Sequence, residues 1–345
     1  MKTTLDTLNR YFDATFMHVS VTSLLALTAC SSDPTQDIVQ QSDAPESASP
    51  FTRLVDPSGC VIEQITAGDN DLYQVQGVST DGRSLLMAFR QKGAPNLDSQ
   101  GYEMDLATGE KTDLSDIFAN SGTYSPDGKF IAVAQASNNG KTDIYEYERA
   151  TGELKSVASH EDWDWLPSYS PDGRFILFNS YRVGGQSDIH VFEKSTGTLR
   201  RLTENPGYDA HAQYSPDGER IVFNRQQGTR EDGGHIFDLI VLDVNTGQET
   251  QLTDGKYADG YPAWAPDGQH IVYSSDIDGQ HGQLNLYILN PDGESVTRLT
   301  KGDWKDSYAF WTRDGAFIYF NSDRAGGSNI FRLPMDGFEC VRDVG

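Results

Sequence analysis

Four aspartates occupy one position of a repeated segment, and carboxylates at a fixed spacing can bind cations or take part in catalysis. Each stands eight residues before the Asp of an Asp-Gly turn; they are Asp164, Asp209, Asp259 and Asp306. Six residues before the same turns, the sequence carries His211, Tyr261 and Tyr308. Carboxylates beside aromatic faces could hold a cation, a sugar or a peptide. We therefore predict a ligand-binding site at these seven positions.

A structural role is the default for each of these side chains taken alone. An Asp in a loop can accept hydrogen bonds from nearby backbone N–H groups and so stabilise the loop. Buried aromatic rings most often pack against one another. The sequence leaves both interpretations open, and the recurrence of the whole set is the argument for a site.

The remaining histidines and acidic turns form no catalytic or metal-binding pattern. Among the histidines of the repeats, only His211 falls in the repeated columns; the others there are His160, His190, His235, His270 and His281. The turns 276–279 and 69–71 faintly suggest calcium, but neither completes the spacing of a calcium loop. No Gly-x-Ser-x-Gly, phosphate loop or Cys-x-x-Cys occurs. The sequence therefore argues against an enzyme and against a cofactor, and it leaves calcium open and the metal content undetermined.

Six repeats must position these columns. The turn aspartates stand at 81, 127, 172, 217, 267 and 314, so the spacings are 46, 45, 45, 50 and 47 residues. Three of the turns read Ser-Pro-Asp-Gly, in which Pro fixes φ and Gly supplies a positive φ. A period of this length is typical of a four-stranded propeller blade.

The residues after each turn indicate strands that are buried on both faces. Runs such as Phe175–Phe178 and Phe317–Phe320 are almost continuously apolar. Stacked blades bury both faces of their central strands. We therefore predict an all-β fold for residues 59–345, a six-bladed β-propeller of four-stranded antiparallel blades. The columns of Asp, His and Tyr would then lie where each innermost strand begins, around the mouth of the central funnel.

The repeat resembles the TolB-type family of WD-like propeller repeats. The fifth copy, residues 252–268, contains Leu-Thr, then Asp-Gly-Tyr-Pro-Ala-Trp-Ala-Pro-Asp-Gly. The resemblance runs from about Gly59 to the C-terminus and implies that the column Asp belongs to the repeat itself. TolB carries an α/β domain before its propeller, so we expect a relative other than TolB. Pectin-degrading lyases of similar fold use a metal with several His ligands, and one funnel His is a poor match.

Ring closure follows from the strand left over at the start of the propeller. The segment Val61–Thr66 looks like an outer strand with no blade upstream of it. We predict that it completes the last blade, which would bring Cys60 close to Cys340 and allow a disulfide between them. Disulfides persist in exported proteins.

The N-terminal segment has the features of an export signal. An apolar run ends in Leu27-Thr28-Ala29-Cys30, which resembles a bacterial lipobox and implies cleavage before Cys30 and lipidation of its sulfur. An ordinary signal peptide with an incidental Cys30 is the alternative. We assign residues 1–29 to the signal peptide and 30–58 to a disordered tether, because Ser31–Pro50 is polar and lacks Lys and Arg.

The overall charge limits the partners. With a net charge of −24, the chain should repel nucleic acid. We predict an exported protein, periplasmic or at the cell surface, that contacts the outer membrane only through its lipid. Its leading function is non-catalytic, the presentation of a rigid propeller to an envelope protein or peptide. The alternatives are a carbohydrate-active lyase or hydrolase using the funnel Asp and His residues, or a calcium or small-ligand binder. The oligomeric state is not predicted.

Overall fold

A computed structural model describes residues 51–68, 71–94, 98–118, 121–279, 281–293 and 295–335. The predicted signal peptide, the lipidation site Cys30 and the predicted disulfide partner Cys340 lie outside these residues. The described part of the chain forms six antiparallel sheets, which follow one another along the sequence. Each sheet is one blade of a β-propeller, as the period of the repeats predicts.

The first three blades are regular four-stranded sheets. Blade one contains β3 (Asp71–Val78), β4 (Ser84–Gln91), β5 (Gln100–Asp105) and β6 (Lys111–Asp113). Blade two contains β7 (Ser121–Tyr124), β8 (Phe130–Ala136), β9 (Thr142–Glu148) and β10 (Leu154–Ala158). Blade three contains β11 (Asp164–Tyr169), β12 (Phe175–Ser180), β13 (Asp188–Glu193) and β14 (Thr198–Arg201).

The other three blades include the longest hairpin and the closing sheet. Blade four contains β15 (Asp209–Tyr214), β16 (Arg220–Thr229), β17 (His235–Asp243) and β18 (Glu249–Gln251). Blade five contains β19 (Gly260–Trp264), β20 (Ile271–Ser275), β21 (Asn285–Leu289) and β22 (Val296–Arg298). Blade six joins β23 (Ser307–Trp311), β24 (Phe317–Ser322) and β25 (Asn329–Pro334) to β2 (Val61–Gln64) and β1 (Thr52–Val55).

In five of the six blades, the turn after the innermost strand is held by a side chain that bonds back onto the turn. In blade three, Ser170 Oγ donates to Asp172 Oδ1 at 2.6 Å and accepts from the Phe175 N–H at 2.9 Å. Gly173 has a φ of 71°, a conformation that a residue with a Cβ rarely adopts. The Ser-Pro-Asp-Gly sequence therefore fixes where one strand ends and the next begins.

The core lies between neighbouring blades. All five residues of β20 are buried, as expected for a strand covered on both faces. One cluster joins Leu177 and Val191 of blade three to Phe223 and Ile240 of blade four. Similar clusters follow at the other blade interfaces, so each blade packs on the next.

The closing strand is where the repeat predicts it. Strand β2 pairs with β25, with Glu63 opposite Arg332 and Gln64 opposite Phe331. Arg332 Nε donates to Glu63 Oε2 at 2.6 Å, which adds a charged contact to the closure. The N-terminal strand thus completes the last blade and closes the ring.

The end of the predicted tether is ordered, which corrects the boundary drawn at residue 58. Thr52–Val55 forms β1, paired with β2. Asp56 is 2% exposed, accepts the backbone N–H of Lys301, and pairs with Arg324 at 2.9 Å. The polar composition of the tether predicted disorder up to residue 58. Lys301 and Arg324, the residues that bind Asp56, lie far away in sequence and gave no local signal. Cys60 is buried and disulfide-bonded.

Candidate site at the mouth of the propeller

The innermost strands of blades three to six carry an unusual backbone conformation. One residue in each has a positive φ of 53° to 58°; they are Leu166, His211, Tyr261 and Tyr308. At the same positions the pairing with the second strand of the blade shifts register, as in a β-bulge. Bulky residues rarely adopt this conformation, which costs on the order of 1–3 kcal/mol and often marks a functional site. In blades one and two, the equivalent residues Val75 and Ser121 are not in it.

Three of these residues form one aromatic cluster, which we define as His211, Tyr261 and Tyr308. The ring centroids are 4.6 Å apart for His211 and Tyr261, 4.2 Å for Tyr261 and Tyr308, and 5.7 Å for His211 and Tyr308. His211 belongs to blade four and Tyr308 to blade six, with blade five between them. Their rings can meet only on the inner side of the ring of blades, so the cluster lies in the central funnel.

His211 presents a hydrogen-bond acceptor in this cluster. Its Nδ1 is 2.9 Å from Asn224 Oδ1, and because an amide oxygen only accepts, Nδ1 carries the proton. The other ring nitrogen, Nε2, is therefore unprotonated, and it is buried without a partner within the described residues. Burial lowers the pKa of His211 to about 4, against the opposing effect of the Asn224 hydrogen bond. The imidazole is thus neutral at neutral pH.

Three of the four predicted site aspartates are held inside the blades by arginines. Asp164, Asp209 and Asp306 are fully buried. Arg182 Nη2 lies 2.7 Å from Asp164 Oδ2, and Arg225 Nε lies 2.7 Å from Asp209 Oδ1.

Asp306 is paired in the same way, because Arg324 Nη2 lies 2.9 Å and 2.7 Å from its two oxygens. Burial raises the pKa of each of the three carboxyls, and the arginine beside each acts in the opposite direction. These contacts fit a structural role at the start of each innermost strand.

Asp259 differs from the other three. It is 3% exposed, and no ion pair to an arginine is present within the residues described. Burial raises its pKa to about 7, hydrogen bonds from Ser275 and Thr253 lower it, and the charges of Asp238 and Asp276 raise it. Blade five thus contains a carboxyl whose pKa lies near neutrality, two residues before Tyr261 in the sequence.

A rim of further aromatic side chains extends the cluster outward. Tyr208 has ring centroid distances of 6.4 Å to Trp165, 6.4 Å to Tyr181 and 6.3 Å to Phe237. Burial raises the pKa of Tyr208 well above its usual value, and the nearby Tyr181, Tyr308 and Tyr261 add to the effect. The rim and the cluster are therefore neighbours.

The hairpin of β16 and β17 forms one side of the mouth, and sequence reasoning missed it. Phe237 lies on this hairpin, and Arg230 near its tip pairs with Asp276 of blade five, at 3.1 Å between Nη1 and Oδ1. The spacing of 50 residues between the turn aspartates 217 and 267 was the available signal for an insertion in blade four.

Metal ions in proteins require a set of several ligand side chains. Across the part of the chain that the structure describes, no three His, Cys, Asp or Glu side chains come together in a way that could hold a metal ion. Among the histidines that the structure describes, His211 is the one that contacts Tyr261 and Tyr308. Separately, none of the described residues belongs to a helix with the length and hydropathy of a membrane span.

Comparison with known proteins identifies the family. The sequence matches the TolB beta propeller domain over residues 79–281 and 239–343, which together span most of the chain. The chain therefore belongs to the family of TolB-type β-propellers. No protein in the curated set matches it.

Solved structures agree on the fold. A protein assigned as TolB from Agrobacterium tumefaciens is 22% identical, with a TM-score of 0.57, over 77% of this chain and 91% of that one. TolB from Acinetobacter baumannii is 21% identical, with a TM-score of 0.53, over 78% and 65%. An oligogalacturonate lyase from Vibrio parahaemolyticus is 14% identical, with a TM-score of 0.53, over 82% and 96%. Identities this low carry over the architecture and no activity.

Proposed function

We propose that this protein is a non-catalytic binding propeller of the cell envelope, and that its funnel mouth receives a segment of a partner protein or a peptide. One observation carries the proposal: blades four to six hold three rings in strained conformations at the centre of the funnel. Strain of this kind persists only when the surrounding fold imposes it. Blades one and two form without it and blade three carries it at Leu166, so the meeting of the three rings distinguishes blades four to six.

The polar groups near the mouth favour binding over catalysis. Acid–base catalysis needs a free group whose pKa lies near the working pH. Asp164, Asp209 and Asp306 are paired with arginines. The pKa of His211, about 4, makes it a weak base. Asp259 has a suitable pKa but is buried.

Two features support an envelope location. Cys60 is disulfide-bonded, and disulfides are rare in the reducing cytosol. The lipobox-like sequence ending at Cys30 would tether the propeller to a membrane by lipid alone. We propose an exported protein, periplasmic or at the cell surface.

A carbohydrate-active lyase or hydrolase is the second candidate. The unprotonated Nε2 of His211 could accept a proton, and an oligogalacturonate lyase shares the fold. The absence of a second described His in the cluster weighs against a metal-assisted version. A calcium or small-ligand site stays a third proposal, without a supporting cluster among the described acidic residues.

Site-specific photo-cross-linking tests the leading proposal. A benzophenone amino acid is placed at Asn205, before β15 on the mouth side, or at Glu219, after β15 on the turn side. Both positions are exposed loop residues of blade four. In source cells making the full chain, we expect a defined protein or peptide adduct from Asn205 and none from Glu219. Equal adducts at both ends, or turnover of a polysaccharide by the purified chain, would overturn the proposal.

A further inference from the structure

The three rings of the cluster meet at steep angles, which gives the site a corner and not a flat platform. His211 makes interplanar angles of 65° with Tyr261 and 73° with Tyr308, and the two tyrosines are 42° apart. The face of an aromatic ring is negative because of its quadrupole. Aromatic faces turned in different directions can contact an organic ammonium group together.

The hydrogen-bonding capacity of the cluster also calls for a donor. His211 Nδ1 is occupied by Asn224, and the free nitrogen, Nε2, can only accept while the ring is neutral. A primary ammonium donates three hydrogen bonds, whereas a carboxylate donates none. At this atom the free lone pair accepts from a donor such as an ammonium, whereas a carboxylate cannot bond to it.

The charges around the funnel do not oppose a cation. The arginines behind the cluster, Arg182, Arg225 and Arg324, are each paired with buried carboxylates. A chain with a net charge of −24 also attracts cations over a longer range.

We propose that the cluster binds the primary ammonium group of a lysine side chain on the partner. The ammonium of this lysine donates to His211 Nε2, and its alkyl stem packs against Tyr261 and Tyr308. This inference rests on the proposed function, because it names the chemical group that the mouth receives.

Matched small probes test the inference with the full chain. Nα-acetyl-lysine methylamide is titrated against Nα-acetyl-norleucine methylamide, which keeps the alkyl stem and lacks the ammonium. NMR of labelled histidine reports binding at the His211 ring. We expect saturable shifts with the lysine probe and binding at least about fivefold weaker with norleucine. Equal binding of the two probes, no saturable shift with lysine, or tighter binding of Nα-acetyl-glutamate methylamide would overturn the inference.

Variants localise the binding and separate it from the general attraction of an acidic protein for cations. Tyr308→Leu should weaken the lysine probe by about fivefold or more, and Tyr308→Phe, which keeps the ring face, should restore most of the affinity. Ser121→Ala, in the same column of blade two, is the matched control. If the affinity for the lysine probe is the same in the Tyr308→Leu, Tyr308→Phe and Ser121→Ala variants as in the unsubstituted chain, the inference is contradicted. If the lysine probe fails while the Asn205 adduct persists, only the ammonium inference falls; if both are lost, the proposed function falls with it.

Discussion

The two ends of the innermost strands differ in how regular they are. At the turn end, a hydroxyl bonds to the turn Asp in five blades, with 2.6 Å from Ser79 to Asp81 and 2.6 Å from Thr312 to Asp314 at the extremes of the chain. At the mouth end, the equivalent column changes from Val75 and Ser121 to His211 and the two tyrosines. Repetition at the turn end reflects what every blade needs to fold. Divergence at the mouth end is the basis of our proposal that this end binds a partner.

The arginines that pair with the site aspartates stabilise the fold, as the repeated turns do. Arg324 links Asp306, at the start of β23, to Asp56 of the N-terminal segment. All three side chains lie in the interior, so the geometry couples the mouth of blade six to the ring closure.

Replacing this arginine should have the largest effect. Arg324→Met leaves Asp306 and Asp56 buried without a counter-charge, and we expect a loss of about 3–5 kcal/mol in the free energy of unfolding at pH 7. Denaturant titration of the purified chain measures the loss. The exposed Arg313→Met serves as a control, with an effect within about 0.5 kcal/mol. A loss below 1 kcal/mol for Arg324→Met would show that the paired carboxylates are not structural.

Removing the charge of Asp259 should stabilise the protein at high pH, whereas removing the charge of Arg324 should destabilise it. Its folded pKa of about 7 lies above the ordinary value of 3.8, so the folded state binds the proton more tightly. The stability that this group contributes is full below about pH 4 and is lost as the pH rises towards 7. Asp259→Asn should therefore stabilise the protein by on the order of 2 kcal/mol at pH 8 and have little effect at pH 4.

Thermal or denaturant unfolding at the two pH values measures this difference. Asp209→Asn is the matched control, and it should destabilise the protein at pH 8, because it leaves Arg225 with one partner fewer. If Asp259→Asn destabilises at pH 8 as much as Asp209→Asn does, the four carboxyls are equivalent and the distinction drawn for blade five is wrong.

The sequence predicts the features of this structure that arise from interactions between residues close in sequence. The Asp-Gly turns and apolar runs act within a few residues, and they predicted six blades and the closing strand Val61–Thr66. The order of Thr52–Val55 was missed because it depends on Asp56 reaching Arg324. The seven predicted site residues divide in the same way: the ring cluster meets in the funnel, whereas the arginine partners of three Asp residues come from the second strand or the loop after it.

A signal for those partners was present in the sequence. Arg182 follows its turn aspartate, Asp172, by ten residues, and Arg324 follows Asp314 by ten. These two arginines could have been paired with Asp164 and Asp306, whereas Arg225, the partner of Asp209, stands eight residues after Asp217. The positive φ values had no such signal, because Leu, His and Tyr do not favour that conformation.

The turn end should lose stability when its hydroxyl is removed. Ser215→Ala deletes the bond to Asp217 and leaves the Arg220 N–H without its acceptor, at a cost of about 1–2 kcal/mol. Ala265→Ser, which gives blade five the hydroxyl it lacks, should be neutral or stabilising by up to about 1 kcal/mol. Denaturant midpoints of the two variants measure both effects. A neutral Ser215→Ala would contradict a structural role for the repeated turn.

At Tyr308, at the mouth end, a Gly variant should be more stable than an Ala variant, which is the reverse of the usual order of stability. At Tyr308, φ is 54°, so Gly avoids the cost that any Cβ incurs there. Tyr308→Gly should be more stable than Tyr308→Ala by about 1 kcal/mol. At Ser121, in the same column of blade two, Ala should be the more stable of the two. The same order at both positions would mean that the backbone of blades four to six is not strained.

The most direct test of the account compares the two ends in one binding measurement. The benzophenone at Asn205 is combined with Tyr261→Ala or with Ser215→Ala, and the unfolding midpoints of both variants are measured so that stability can be matched by temperature. The account predicts that Tyr261→Ala abolishes the adduct, whereas Ser215→Ala leaves its yield within about twofold of the unsubstituted chain. If both variants reduce the adduct equally at matched stability, the mouth cluster is not the binding site and the central claim is wrong.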